Sequence, residues 1–170
     1  AHEIGQIWLQ LPYKVERPGL SKNPEPSRVS TTAPEAPPSA RITMLMQREL
    51  RSFIAEAHSR NIRIHALDGA PEHCLTQNHH IPLGLVDAVL QFNSQANQQE
   101  RFDGVHFDNE PYLLLGWHSP SRREQILRQY LELNAECQRR IREGSNMQFG
   151  VDIPFWWQVM DKNTGEANAA

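Results

Sequence analysis

The chain has 170 residues, 39% of them apolar, and its 17 Lys and Arg against 20 Asp and Glu leave a formal charge of −3. That length and composition suit one globular domain with a sizeable core and exclude a wholly disordered chain. The slightly acidic balance argues against a nucleic-acid partner, and no apolar run approaches the roughly 20 residues needed to span a bilayer.

In chain order, Ile4 to Leu11 reads as a strand in which Ile7, Leu9 and Leu11 oppose Gln6, Trp8 and Gln10. Its start, AHEIGQIWLQL, lacks the basic residues and long apolar stretch of a leader. A chain already cleaved would read the same, so location is unassigned, with a secreted or periplasmic one open. Seven of the twelve prolines then fall between Pro12 and Pro38. Proline fixes φ and donates no backbone hydrogen bond, so positions 12–40 are expected to form a long surface loop.

Ile42 to Arg60 is expected to be a helix, with Met46, Leu50, Phe53, Ile54 and Ala57 at helical spacing and Asn61 as its stop. Ile62 to Leu67 is a short apolar strand, and about Pro82 to Asn97 a second helix with Leu85, Val86, Val89 and Leu90 on its buried stripe. Phe102 to Glu110 is a third strand. A third helix is expected to open on an S-x-x-E capping box, Ser121 with Glu124. It carries Ile126, Tyr130, Leu133, Cys137 and Ile141 on one face and stops at Gly144. Met147 to Ile153 is the last strand, and DKNTGEANAA ends the chain.

Strands alternating with helices imply βαβ units and a parallel sheet, hence an α/β fold over residues 1–170 as a single domain. Two closures follow: an open doubly wound sheet, or a (β/α) barrel. Doubly wound sheets are covered on both faces, so their strands are apolar throughout. Here one face is apolar (Val105 and Phe107; Phe149, Val151 and Ile153) and the other polar (His106, Asp108 and Glu110; Gln148, Gly150 and Asp152). That favours a parallel barrel of TIM type, whose inward side chains line the site at its mouth. About four strands and three helices fall short of a complete barrel, which takes about 250 residues. The expectation is therefore a barrel segment, or a half barrel that closes by self-association.

The densest chemistry lies in FDGVHFDNEPY. Asp108 and Glu110, two apart on one strand, point to the same side with Cβ atoms roughly 6.5–7 Å apart. Paired carboxylates resist ionising together, which keeps a proton donor available near neutral pH, as cleavage of a glycosidic bond requires. Glu110, at the strand's end before Pro111, is the candidate acid, and Asp108 its partner. The plainer alternative is a pair of solvated strand-end carboxylates. His106, Asp68 after IRIHAL, and Asp152 closing MQFGVDIP are candidate supporting residues at the same mouth. The plain reading of Asp68 and Asp152 is ordinary turn chemistry. Tyr112, Trp117 and Trp156 are candidate platforms for the C–H faces of sugars, or rings that pack loops on the rim.

Asp103-Gly104-Val105-His106-Phe107-Asp108-Asn109-Glu110 resembles the DGxDxDxE strand of glycoside hydrolase family 18, the chitinase-like (β/α)₈ barrels. The resemblance implies that Glu110 protonates the glycosidic oxygen and that Asp108 assists a substrate acetamido group. Asp103, which opens the motif, is a further candidate supporting residue. His106 stands where the family has its middle Asp. The implied partner is a carbohydrate, with no cofactor.

Two other readings follow from the same residues. One is a carbohydrate-binding barrel without catalysis. The other is a metal-dependent hydrolase or phosphodiesterase, with His65, His106, Asp108 and Glu110 as N and O ligands, although no HxH or HExxH spacing supports it. Cys74 and Cys137 form no C-x-x-C, and no G-x-S-x-G elbow points to a nucleophilic triad.

Overall fold

Apolar and polar residues alternate over Gln6–Gln10, and in the computed structural model this stretch forms β1, the first strand of a parallel sheet. The structure describes residues 4–16 and 39–158; most of the proline-rich segment and the C-terminal DKNTGEANAA lie outside the described residues.

Tyr13–Val15 (β2) pairs antiparallel with Ile42–Met44 (β3), so both ends of the expected loop are tied into a short ribbon. Three residues read as the first turn of a helix are thus a strand. Met46 takes a left-handed backbone, φ 51°, which separates the ribbon from α1, Gln47–Ser59. The buried stripe of α1 is Leu50, Ile54 and Ala57, while Met46 and Phe53 are exposed. Asn61, also left-handed at φ 59°, turns the chain into β4, Arg63–Asp68.

Helix α2, His80–Ser94, is buried along most of its length, with Leu83, Leu85, Val86, Val89 and Phe92 in the core. Its Asn93 side chain donates to the Phe102 carbonyl (2.9 Å) and accepts from the Phe102 N–H (2.9 Å), anchoring the entry to β5, Gly104–Phe107. Helix α3 runs over Pro120–Gly144 and buries the expected stripe of Ile126, Tyr130, Leu133, Cys137 and Ile141. Its N-cap is Ser119, with Pro120 in the first turn and no side-chain cap. The expected Ser121–Glu124 box does not form, and Glu124 pairs with Arg128 one turn on. Strand β6, Gln148–Val151, completes the sheet.

The four parallel strands stand in the order β1-β4-β5-β6, which is also their order in the chain. All three helices pack on one face, where their stripes share a core with Ile7, Leu9, Ile64, Ala66, Val105, Phe107, Phe149 and Val151. Among the described residues no helix lies over the opposite face, which carries Trp8, His65 and His106. The described residues therefore form an α/β structure with a four-stranded parallel sheet and three helices, and among them the sheet is open rather than closed into a barrel. No described helix is long and apolar enough to cross a membrane.

Candidate active site

Aspartates stand at the C-terminal ends of β4, β5 and β6. The Asp108 N–H donates to the Asp68 carbonyl (2.9 Å), and the Asp152 N–H donates to the Phe107 carbonyl (3.0 Å). These bonds extend the ladders past the strands and hold Asp68, Asp108 and Asp152 level along the C-terminal edge. Gly69 permits this alignment: a Cβ there would lie 1.9 Å from the Asp108 carbonyl oxygen.

The edge divides by chemistry. Asp68 is buried, accepting from the Gln10 amide (3.1 Å) and the Tyr13 hydroxyl (3.2 Å). Burial and this carboxylate push Tyr13 up to about 12, so it remains a donor. Asp68 thereby fastens β1 and β2 to β4, and its carboxylate is enclosed. Asp108 and Asp152 are exposed.

Glu110 is not a strand residue. The strand ends at Phe107, Asn109 turns inward and is fully buried, and Glu110 adopts a left-handed backbone, φ 44° and ψ 56°. Pro111 has no N–H to continue a ladder, and it opens a short 3₁₀ turn instead. The Asn109 side-chain oxygen accepts from the Ala70 N–H (3.4 Å), which pins the turn to the loop after β4. Its side-chain nitrogen is buried without a partner among the described residues. A left-handed backbone at a non-glycine residue costs about 1–3 kcal/mol and persists where surrounding contacts enforce it, often at functional sites.

The Tyr112 hydroxyl donates to a Glu110 carboxylate oxygen. This bond, followed by partial burial and the nearby carboxylates, pushes Tyr112 up to about 12. Partial burial, then the charges of Glu110 and Asp152, raise Asp108 above the ordinary carboxylate range, with His106 pulling the other way. Glu110, Asp152 and His106 therefore act on one group, and the carboxyl they perturb is Asp108. His106 Nε2 lies 3.0 Å from Asp152 Oδ1.

Tyr112 meets Trp156 edge-on, ring centroids 5.1 Å apart, and Trp156 meets Trp157 at 6.2 Å. Both Tyr112 and Trp156 are partly exposed beside the carboxylates. Trp117 differs. It is 4% exposed and stacks on Trp157 at 5.6 Å, so it packs the loops together and offers no face to a substrate.

Asp103 lies at the other end of the sheet. One carboxylate oxygen accepts from the Ile64 N–H (2.7 Å) and contacts His58 Nε2 (2.9 Å), joining α1, β4 and β5 before β5 begins. It is a structural clamp remote from the strand ends. Among the described residues no three His, Cys, Asp or Glu side chains are arranged to hold a metal ion, so the metal-dependent reading has no ligand set there. His65, offered as a ligand, is buried on the open face with neither ring nitrogen bonded among the described residues.

Sequence reasoning missed two participants. Asn109 carried no catalytic signal, yet its burial turns its neighbours outward. Trp8 was visible as the one aromatic residue on the polar face of β1. No protein-family model, curated protein or solved structure matches the chain.

Proposed function

We propose that this is a carbohydrate-active hydrolase with Glu110 as general acid and Asp108 as its partner. The supporting observation is the convergence of Asp108, Glu110 and Asp152 on the C-terminal strand edge beside the partly exposed rings of Tyr112 and Trp156. A carboxyl raised by its neighbours, as Asp108 is, keeps a proton available near a leaving oxygen, while aromatic rings take the C–H faces of a sugar. Asp108, holding its proton to higher pH than an isolated carboxyl, shares the acid–base load with Glu110. On a substrate carrying an N-acetyl group, Asp108 would orient the acetamide, and the protein would need no nucleophile of its own.

The same reading treats the sheet as a four-stranded arc of a (β/α) barrel. Its support is the sequential strand order, the placement of every helix on one face, and the polar character of the other. In that arc the carboxylate edge is the mouth.

The test is release of reducing ends from a panel of oligosaccharides and polysaccharides, wild type beside Glu110→Gln. Release by the wild type and a loss of at least about a hundredfold in Glu110→Gln is the expected result, the size of a removed general acid. Equal turnover by both proteins would end the assignment. A second reading, sugar binding without hydrolysis, is favoured by the Tyr112 hydroxyl, which already occupies one Glu110 oxygen. It predicts glycan affinity in both proteins and release by neither.

A further inference from the structure

Trp8 lies in the middle of β1 on the face that no described helix covers, and it is 50% exposed. Its indole stands edge-on to His106, with centroids 5.6 Å apart and planes at 61°. His106 is in turn held by Asp152 at 3.0 Å. Space for the imidazole exists because residue 150 is glycine: a Cβ there would lie 2.6 Å from His106 Nδ1. Only one Asp152 oxygen is engaged in this pair, and 59% of its side chain meets solvent. Trp8, His106 and Asp152 thus form a continuous line from the open sheet face to the carboxylate edge.

The accessible chemistry of this face is the exposed indole and the solvent-facing Asp152 carboxylate. His65, in register with Trp8, is 4% exposed with both ring nitrogens enclosed, so it takes no part in binding. A hydroxylated ring supplies a C–H face for the indole and a hydroxyl for Asp152.

We propose that Trp8 is the stacking platform of a second sugar-binding position, where a pyranose lays its C–H face on the indole and directs a hydroxyl to Asp152, itself positioned by His106. The proposal rests on the hydrolase reading of the Asp108–Glu110 edge and specifies its substrate. A ligand reaching from that edge to Trp8 is an oligosaccharide rather than a single sugar. Asp108, Glu110 and Asp152 along its path repel uronates and sulfated sugars, so the preferred chain is uncharged.

The experiment measures calorimetric affinity in the Glu110→Gln background for cellohexaose, chitohexaose and xylohexaose, each beside its disaccharide. Trp8→Ala is expected to lower the ratio of hexasaccharide to disaccharide affinity about fivefold or more, and Trp8→Phe to recover most of it. Circular dichroism of both variants establishes that they fold, and the Phe variant keeps the test valid if the Ala variant does not. Acrylamide quenching, as the difference between wild type and Trp8→Phe, is expected to find the Trp8 indole accessible. An unchanged ratio in a folded Trp8→Ala protein overturns the subsite while leaving the hydrolase reading intact. A shielded indole also overturns it, because protein then covers the platform. No binding of any glycan, with no reducing-end release, removes the hydrolase reading and this subsite with it.

Discussion

Glu110 owes its place to its neighbours. Asn109 is buried and bonded to the loop after β4, Pro111 blocks any further ladder, and the chain escapes between them through a left-handed residue. Alternation along FDGVHFDNE correctly separates Val105 and Phe107 from His106 and Asp108. It fails beyond Asp108, because a period of two holds only while backbone pairing continues. Asp108 carries the measurable electrostatic consequence. Its folded-state carboxyl titrates above the ordinary value of 3.8, so the native protein holds this proton where the unfolded chain has lost it. Stability from this group is full below that value and falls as pH rises through the raised one. Asp108→Asn, which cannot ionise, is expected to match wild-type melting at about pH 3 and to melt increasingly above it towards about pH 7. Thermal unfolding across that range checks the sign, and a gap that widens on acidification would contradict it.

At the scale of elements, the junction of β4 and β5 is the tightest part of the site. The Asp108 carbonyl would sit 1.9 Å from a Cβ at Gly69, and backbone cannot give way as a side-chain tip can. Gly69→Ala is expected to cost ~1–3 kcal/mol and to displace Asp108. Gly5→Ala, with nothing within 4 Å, is the matched control with little change in urea midpoint. Equal midpoints in the two variants would show that the close approach is absent. Helical stripes at this scale were readable: Leu50, Ile54 and Ala57, or Leu133, Cys137 and Ile141, recur at spacings set by one helix. Strand β3 was not, because three residues make a strand only by pairing with Tyr13–Val15 across the proline-rich segment. The capping box failed for a local reason, since Pro120 favours the first helical turn and shifts the cap to Ser119.

For the whole molecule, the one shared core on the helix side governs accessibility. Cys137 lies within it on α3, and Cys74 is enclosed by the loop after β4; both are free and fully buried. Burial is the main reason that both thiols are pushed up to about 12. Ellman's reagent is therefore expected to find no reactive thiol in the native protein at neutral pH and two after denaturation. Rapid native labelling would show that the core opens more readily than its packing implies. Before folding, local periodicity was enough to determine the alternation of strands and helices, the parallel sheet and its contrast of apolar and polar faces, since each depends on residues a few positions apart. Only the tertiary structure decided the strand order, the gathering of all helices on one face, and the left-handed turn at Glu110. It also decided the burial of Trp117, the removal of Asp103 to the far end, and the line from Trp8 through His106 to Asp152. Each of these depends on hydrogen bonds and packing between segments far apart in the chain, which no local pattern encodes.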